Sequence, residues 1–551
     1  MIKRLLLSAA LWGSLAFGSR GAEPATVQPE LGLRHNAEGF DLGPETTAGT
    51  VGAAAAAIPT HLPPGPFQPS WSSLQTHYTT PAWLREAKFG LFMHWGLFSV
   101  PAFGGTRPAE WYQKHLYAGD PKTLAFHSER YGPLTTFGYK DFIPLFRAEH
   151  WDPAAWALLF RRSGARFVIP TAQHCDNWAN WDSRANPFNS VKMGPHRDLI
   201  GELAKAVRAE GLRFGVSNHG MEAFDWVQPS PAIAAELKAA QGDVYDPHWA
   251  AFYLAADHSD AALHRFLLNW VQRNVELIDQ YRPDVLWFDN GIDNRVFDPL
   301  KLWIAAYYYN RAAEWGKAVA VSAKKAAYAP GGDNVQTIGA VLDFERIGVR
   351  SPGGIRTGAW LVDEPIGEHW GYADRMHVLS AGEIVGKLVD TVAKNGVFIL
   401  NLSPRADGTI PDDQQTALLG VGQWLEVNGE AIYGSHSWTA WSDGQSAGAS
   451  GAHVYYTAKG DTVYAICVGD PSDHLQINLH QLGTDRTGPG RVRSVRLLGT
   501  SRHLRFVQAR GELQIRFPDD LPRPLLGYTL KITGLPASAD PFTRDGNPLL
   551  P

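Results

Sequence analysis

The chain has 551 residues, of which 44% are hydrophobic and 19% charged, and its formal net charge at pH 7 is −5. A chain of this length is too long to fold around one ordinary hydrophobic core, so two or three domains are predicted. The small net charge, without a long run of like charges, argues against a nucleic-acid partner, which needs a clustered basic surface. Most of the 20 tryptophans are expected in a core. Sugar recognition is the alternative, because an indole face stacks on the apolar face of a pyranose.

The first 22 residues are predicted to be a cleaved secretory signal peptide. Lys3 and Arg4 precede an apolar stretch, Leu5–Phe17, and small residues follow between Gly18 and Ala22. This is the order of basic, apolar and cleavage regions in such peptides. The apolar stretch is short for a membrane span of roughly 20 residues. We therefore expect a secreted or periplasmic protein with no membrane span in its mature form.

Residues 23–75 are predicted to be a flexible linker. The run Ala53–Ala57 is followed by five prolines between residues 59 and 69. No periodic apolar pattern accompanies them, so a packed element is not expected.

Residues 76–433 are predicted to form an α/β domain, a (β/α)8-like barrel of the TIM type. Apolar runs alternate with amphipathic helical stretches, and strands this apolar are buried on both faces, as in a parallel sheet. A doubly wound open sheet is the alternative, but no Gly-rich dinucleotide fingerprint follows the first strand. The predicted strands are Phe89–Gly96, Arg166–Ala172, Arg213–Ser217, Val285–Asp289, Ala318–Ser322 and Gly396–Leu402.

Residues 434–551 are predicted to form a C-terminal antiparallel β-sandwich. Short alternating runs such as Thr462–Val468 and Leu513–Phe517 are separated by Gly, Pro and Asp. The two cysteines, Cys175 and Cys467, fall in different predicted domains. We expect both to be buried and unpaired, so the chain is not a disulfide scaffold.

Polar residues stand at the ends of four successive predicted strands. Active sites of such barrels lie at the C-terminal ends of the strands, so these residues predict one common site. They are His94 at the end of the first strand, Gln173–Asp176 at that of the second, Asn218 and His219 at that of the third, and Asp289 at that of the fourth.

Sugar chemistry and metal binding are the two alternatives for this site. Cleavage of a glycosidic bond needs two carboxyl groups, about 5–5.5 Å apart in a retaining enzyme and about 6.5–9.5 Å apart in an inverting one. Asp289 is the best nucleophile candidate, and the proton donor is left open among Glu345, Asp363, Glu364 and Glu368. A metal bound by the histidines and Asp289 is less expected, because no HExxH pair occurs and the surroundings are aromatic.

At these residues the chain resembles glycoside hydrolase family 29, the α-L-fucosidases. Several long, ordered motifs between about Trp83 and Gly434 carry the resemblance, which makes it specific. Trp83–Gly96 is similar to the family's W-F-x-x-A-K-F-G-x-F-x-H-W-G, Glu110–Tyr112 to its E-W-Y, Trp287–Asp289 to its nucleophile strand, and Lys394–Gly408 to its K-N-G-x-x-L-L-N-x-x-P-x-x-D-G.

The resemblance implies an exo-acting, retaining α-L-fucosidase that needs no cofactor. It implies that Asp289 is the nucleophile and, by similarity of the segment Asp343–Arg346, that Glu345 is the acid/base, with Asp363 and Glu364 as rivals. The residues implied or expected to bind the sugar are His94, Glu110, Trp111, His174, His219 and Trp287. The implied partner is a fucosylated oligosaccharide or glycoconjugate, and a homo-oligomer is left open.

Two departures from the family motifs put the choice of sugar in question. The family's K-H-H-D appears here as Gln173–Asp176, with Cys175 in place of a sugar-binding histidine. Its Tyr-Tyr-Ser after the third strand appears as Ser217–His219. Two alternatives to a fucosidase therefore remain: a catalytically silent sugar-binding protein on the same scaffold, and a glycosidase for a related sugar such as an α-L-galactoside.

Overall fold

The structure is a computed structural model. It describes residues 44–105, 107–324, 327–330, 337–347, 351–445, 453–469, 476–488, 490–518 and 526–536. The predicted signal peptide lies outside the described residues. Within them, no helix has both the length and the apolar character needed to cross a bilayer.

Parallel strands form a closed barrel. They are β1 (Phe89–Met93), β2 (Phe167–Gln173), β3 (Arg213–Phe214), β4 (Val216–Asn218), β5 (Val285–Phe288), β6 (Ala320–Lys324), β7 (Val341–Glu345), β8 (Trp360–Pro365) and β9 (Val397–Leu402). β3 and β4 share one position, because both pair with β2 on either side of Gly215. Each other strand pairs with the next along the chain, β9 pairs with β1, and β1 pairs with β2. The predicted barrel is confirmed, and the open sheet is not.

Helices connect the strands. In chain order they are α1 (Pro44–Ala56), α2 (Trp71–His77), α3 (Ala82–Ala87), α4 (Tyr112–Ala118), α5 (Pro121–Tyr131), α6 (Pro153–Arg162), α7 (Leu199–Ala209), α8 (Ala223–Trp226), α9 (Pro231–Ala240), α10 (Ala250–Tyr253), α11 (Asp260–Tyr281), α12 (Asp298–Glu314), α13 (Ala381–Ala393) and α14 (Asp412–Asn428). Local chemistry sets their ends. The Asp152 side chain, for example, accepts hydrogen bonds from two N–H groups in the first turn of α6.

Residues 44–75 differ from the predicted linker. They include α1 and α2, and α1 packs against α11 and α12. Val51 and Ala54 of α1 are fully buried in the main core. Alanine is the strongest helix former, and its small side chain lets a helix pack closely without an obvious apolar period. The linker prediction is therefore wrong for this segment, while residues 23–43 lie outside the described part.

Side chains at alternate strand positions fill the barrel interior. A buried apolar cluster includes Phe92, Phe167, Ile169, Val285, Trp287, Ala320, Val341, Leu361, Val397 and Ile399. Because side chains alternate in direction along a strand, later inward positions on the same strands lie toward the C-terminal end. Those positions are polar: His94, Asp289, Lys324, Asp343, Glu345, Asp363 and Asn401. The packed interior thus supports a polar layer at one end of the barrel.

Gly90 of β1 is expected to tolerate no side chain. Its partner on β2 is Phe167, and a Cβ on Gly90 would lie 2.2 Å from the Phe167 ring. Gly90→Ala should lower the free energy of unfolding by about 1–3 kcal/mol, measured by chemical denaturation. The matched control is Gly52→Ala on α1, where a Cβ meets nothing within 4 Å. That variant should be neutral or more stable by up to about 1 kcal/mol, and equal losses in both would contradict this packing.

Two barrel strands, β7 and β8, are absent from the sequence prediction. Asp343 and Glu345 interrupt the apolar pattern of β7, and Asp363 and Glu364 interrupt that of β8. A charged residue in a short run weakens the signal of a buried strand. Three of these residues, Asp343, Glu345 and Asp363, contribute to the polar layer, and Glu364 points to the other face of β8.

The C-terminal domain consists of two antiparallel sheets around a shared apolar core. Its strands are β10 (His436–Gln445), β11 (His453–Lys459), β12 (Thr462–Val468), β13 (Gln476–Leu479), β14 (Ser494–Leu497), β15 (Arg505–Ala509), β16 (Glu512–Arg516) and β17 (Tyr528–Thr533). One sheet has the order β10-β11-β12-β17-β14 and the other β13-β16-β15. This confirms the predicted sandwich. Cys467 in β12 and Cys175 are both buried and free, as expected.

Candidate active site

Charged side chains meet at the C-terminal ends of β5 to β8. Asp289 directly follows β5, and Lys324 ends the neighbouring β6. Lys324 pairs in register with Asp343 on β7, and Glu345 pairs with Asp363 on β8. Four adjacent strands therefore place four carboxyl groups and one ammonium group in a single cluster.

Lys324 contacts three of these carboxylates. Its Nζ is 3.5 Å from Asp289 Oδ1, 3.3 Å from Asp363 Oδ2 and 3.8 Å from Glu345 Oε2. The lysine side chain is 8% exposed, so solvent screens these interactions little. The carboxyl groups of Asp289 and Glu345 therefore both lie beside the ammonium nitrogen of Lys324.

Burial and the lysine together set the charge of Asp289. Burial alone would raise its pKa, but Lys324 and then His219 outweigh burial and hold the pKa well below its ordinary value. For Lys324, burial would lower the pKa, whereas the carboxylates, led by Asp289 and then Asp363, raise it above its ordinary value. Asp289 is therefore ionised at neutral pH, as a carboxylate nucleophile must be.

The pKa values of Asp343 and Asp363 are raised, in contrast to that of Asp289. Burial raises the pKa of Asp363 well above its ordinary value and that of Asp343 to about 7. Asp343 accepts hydrogen bonds from Trp287 Nε1 at 2.6 Å and from the backbone N–H of Asp363 at 3.2 Å. These two groups therefore keep their protons to higher pH than Asp289 does.

Asp343→Asn is expected to change how stability depends on pH. The pKa of Asp343 is about 7 in the folded chain, against about 3.9 when unfolded. The folded state therefore binds the extra proton, and the stability this gives below about pH 4 is lost as the pH rises through about 7. Asparagine has no such proton to lose. Relative to the parent, the variant should gain on the order of 1–3 kcal/mol of stability between pH 5 and pH 8, measured by calorimetry.

The control for this variant is Asp461→Asn, in the turn between β11 and β12 of the C-terminal domain. It should follow the parent at both pH values. A stability of Asp343→Asn that falls with pH as steeply as that of the parent would contradict the assignment.

Glu345 fits the acid role best among the four candidates. Its side chain is 24% exposed, and it shares Lys324 with the nucleophile candidate. The side chain of Asp363 is 0% exposed, which keeps it from a glycosidic oxygen. Both oxygens of Glu364 are engaged on the other face of β8, by a lysine of α13 and a backbone N–H. Glu368 lies beyond the end of β8 and is exposed.

Three buried histidines lie beside Asp289. The ring centroids of His94, His174 and His219 are 5.0 to 5.5 Å apart. His219 Nδ1 donates to Asp289 Oδ2 at 2.9 Å, and His94 Nδ1 donates to Asn401 Oδ1 at 2.8 Å. Burial, and next the neighbouring His219, lowers the pKa of His94 and of His174 well below its ordinary value. Those two rings are neutral at pH 7.

Glu110 and Trp111 come from the segment between β1 and α4 and reach the same region. Glu110 is 1% exposed, and its Oε2 accepts a hydrogen bond from the Gly371 N–H at 3.0 Å. Burial raises the pKa of Glu110 to about 7. Trp111 packs edge-on against Trp226, whose ring contacts that of His174.

Several buried polar atoms at this site lack hydrogen-bond partners among the described residues. Glu110 Oε1 and His174 Nδ1 are two of them. Buried polar groups in proteins are normally paired, so such atoms suit the hydroxyl groups of a ligand. Neutral histidines and a buried carboxyl group therefore favour a polyhydroxylated ligand over an apolar one.

Trp287 lies in the floor of the site. It is fully buried, its ring centroid is 4.9 Å from that of Phe92, and its Nε1 bonds to Asp343. Lys324 Nζ is 5.3 Å from the ring centroid, within cation–π range. Trp287 therefore contacts two members of the charged cluster, Asp343 and Lys324. Its direct contact with a sugar stays a prediction.

The departures at Cys175 and Ser217–His219 have different consequences. Cys175 Sγ donates to Glu222 Oε2 at 3.3 Å, and burial raises the pKa of the thiol. Asn218 Nδ2 donates to Asn274 of α11 and belongs to the barrel wall. His219 is therefore the residue of this segment that reaches Asp289.

Sequence reasoning missed Lys324, Trp370 and Asn401. The Trp370 ring is 5.2 Å from that of His94 and 4.9 Å from Lys324 Nζ, and Asn401 orients His94. Lys324 stands two residues beyond the predicted end of its strand, at Ser322. A charged residue at a barrel-strand end was the signal that could have identified it.

The three buried histidines could also form a metal site. Nitrogens of His94, His174 and His219 lie within 4.8 Å of one another. Both nitrogens of His219 already have neighbours, Ser217 Oγ at 3.0 Å and Asp289 Oδ2 at 2.9 Å. Of these three rings, only those of His94 and His174 therefore keep a nitrogen without a hydrogen bond among the described residues, whereas zinc sites use three or four protein ligands. The expectation of no metal stays a prediction.

Comparison with known families gives two matches. Residues 54–430 match the family model described as "Alpha-L-fucosidase". Residues 449–533 match "Alpha-L-fucosidase C-terminal domain". The two matches correspond to the barrel and to the sandwich.

Similar proteins and structures agree with these matches. Tissue alpha-L-fucosidase of Bos taurus is 30% identical over 499 residues, covering 86% of this chain and 92% of that protein. The crystal structure of Thermotoga maritima alpha-fucosidase superimposes with a TM-score of 0.68 at 32% identity, covering 85% of this chain and 100% of that chain. The same Thermotoga protein in complex with fucose superimposes with a TM-score of 0.66, at the same identity and coverage.

Proposed function

Because the chain belongs to the α-L-fucosidase family and is a glycoside hydrolase, we propose that it removes terminal α-L-fucose from glycans with retention of configuration. The observation that carries this proposal is the pair Asp289 and Glu345 on one ammonium group at the mouth of the barrel. Their shared contact is compatible with the spacing of about 5–5.5 Å that retaining enzymes use. The related Thermotoga alpha-fucosidase binds fucose, which supports fucose as the sugar.

In the proposed mechanism the first step forms a covalent fucosyl-enzyme. Asp289 attacks the anomeric carbon while Glu345 donates its proton to the departing glycosidic oxygen. The carboxylate of Asp289 suits attack because Lys324 and His219 keep it ionised. In the second step Glu345 takes a proton from water, the water attacks the anomeric carbon, and the bond to Asp289 breaks.

The sugar-binding residues follow from the unpaired atoms. Glu110 Oε1 and His174 Nδ1 are proposed to bond fucose hydroxyls, and His94 is oriented for the same task by Asn401. Trp111 is proposed to face the sugar at the rim, since it is partly exposed and packs against Trp226.

Glu345→Ala is expected to lower kcat for a fucoside with a poor leaving group by about 10²–10⁴-fold, because no group then protonates the leaving oxygen. Sodium azide should restore turnover of an activated aryl fucoside and release fucosyl azide of retained configuration. Azide attacks the anomeric carbon of the fucosyl-enzyme and Asp289 departs, so no base is needed. The product is identified by NMR.

The control is Glu364→Gln on the neighbouring strand β8, whose carboxyl group points away from the cluster. It should retain activity within a few-fold and show no effect of azide. An azide effect confined to a variant of Asp363 would instead assign the acid/base role to that residue.

The altered contacts at Cys175 and His219 favour a second candidate, hydrolysis of a related sugar such as an α-L-galactoside. A site built to bond a given hydroxyl discriminates strongly when one partner is replaced. Comparing kcat/KM for aryl α-L-fucoside and aryl α-L-galactoside decides between the two. Binding of fucose without turnover of either glycoside would favour the silent binding protein.

We also propose that the protein is exported, on the strength of the basic and apolar pattern in residues 1–22. N-terminal sequencing of protein recovered from the periplasm or medium should place the new N-terminus between residues 19 and 23. Recovery of the intact N-terminus in the cytoplasm would contradict export.

A further inference from the structure

A cavity separate from the catalytic cluster lies beside α11. Its volume is about 380 Å³, and its walls come from the chain after β2, α8, residues 250–257 and α11 as far as Arg273. Much of the lining is apolar, including Phe188, Phe224, Leu254 and Phe266. Small-molecule sites have volumes of about 300–1,000 Å³, mostly apolar walls and a few placed polar groups. The cavity has the size and character of such a site.

Arg273 of α11 supplies the polar group. It lines the cavity and is 6% exposed. Its Nη1 donates to Gln173 Oε1 at 3.0 Å and to Asn177 Oδ1 at 2.6 Å, which are neutral amides. Its Nε is buried and has no hydrogen-bond partner in the part of the chain that the structure describes. A buried charge with neutral partners alone is costly, so this guanidinium suits an anionic ligand.

The acidic groups around the cavity are committed elsewhere. Glu276 lies one turn along α11. It accepts hydrogen bonds from Ser183 Oγ and from the backbone N–H groups of Arg184 and Ala185. Burial lowers the pKa of Arg273 to about 10, and Glu276 offsets this only through space. At the rim, Asp257 is paired with Arg265 at 3.3 Å. Positive charge at Arg273 is therefore left without a contacting carboxylate.

We propose that this cavity is a second binding site, for a small organic carboxylate with a ring-sized body. The carboxylate lies on the guanidinium of Arg273, whose planar fork of N–H groups matches two carboxylate oxygens. The ring lies among Phe188, Phe224 and Phe266. A free aromatic acid and a uronic acid of a glycan share this chemistry.

The position of the cavity accommodates either source. Its walls include segments that follow β2 and β4, so it lies toward the same end of the barrel as the catalytic cluster. A free acid from solution and an acidic unit of a bound glycan both have access to that end.

The test measures binding by calorimetry, without turnover, so it is independent of the proposed hydrolysis. The probes are benzoate and glucuronate, each compared with a neutral analogue, benzamide and glucose. At least one acid is expected to bind, at least tenfold more tightly than its analogue, and the acid that binds identifies the source. Arg273→Met should weaken that binding at least tenfold, whereas Arg265→Met, at the exposed rim, should change it less than twofold.

A second variant keeps the proposal falsifiable if Arg273→Met does not fold. Ala256→Trp at the exposed rim fills the cavity and leaves Arg273 in place. It should abolish binding of the acid. The proposal is overturned if neither acid binds, if the neutral analogues bind as tightly, or if Ala256→Trp binds as the parent does.

Discussion

Asp289→Ala is expected to lower kcat/KM for an aryl α-L-fucoside by on the order of 10⁴-fold, because no other group can form the covalent intermediate. Asp289 is ionised, partly exposed and held by an ion pair with Lys324 and a hydrogen bond from His219. The neighbouring carboxyl groups cannot replace it, since Asp343 and Asp363 are buried and hold protons.

Two comparisons make this result specific. Asp289→Asn keeps the shape and the bond to His219 and should lose as much activity as the alanine variant. Asp293→Ala, four residues further along the chain, should keep activity within a few-fold. Retention of more than a tenth of the parent activity by Asp289→Asn would remove the residue from the nucleophile role.

Lys324→Met is expected to have the next largest effect, a fall in kcat of about 10²–10³-fold on an aryl fucoside. The ammonium group contacts Asp289, Asp363 and Glu345, so its loss leaves three carboxyl groups without their shared cation. The pKa of Asp289 should then rise, because Lys324 is the main group that lowers it. The acid limb of the pH profile of kcat/KM should therefore move to higher pH.

The matched control is Lys301→Met. Lys301 is also a buried lysine, 1% exposed and paired with Asp298 at 2.8 Å, but it lies on α12 outside the site. Its loss should affect stability and leave the pH profile unchanged. A pH profile of Lys324→Met that coincides with that of the parent would reduce the lysine to a structural role.

The barrel itself could be predicted from the sequence, because most of its strands are uninterrupted apolar runs. β5 and β9 are examples in which every residue is buried. β7 and β8 could not be predicted in this way, since their inward positions carry Asp343, Glu345 and Asp363. The charged residues of the site thus interrupt the apolar pattern that marks a buried strand.

The linker prediction failed for a different reason. Apolar periodicity marks helices that bury large side chains, whereas α1 buries small ones such as Ala54. Helix propensity of the alanine-rich run was the stronger signal there.

The candidate site was predicted in outline and completed by the structure. Asp289 and His94 stand at the C-terminal ends of strands, where the active sites of barrels lie. The link between Asp289 and Glu345 through Lys324 depends on two strand registers, β5 with β6 and β6 with β7, which spacing in the sequence does not show. The same is true of the bond from His219 to Asp289.

The most direct test of the account is the anomeric configuration of the first sugar released. Proton NMR during hydrolysis of 4-nitrophenyl α-L-fucoside by the purified protein records it before mutarotation. We expect α-L-fucose to appear first, because displacement by Asp289 and then by water inverts the anomeric carbon twice. First appearance of β-L-fucose would show single displacement and would contradict the roles given to Asp289 and Glu345.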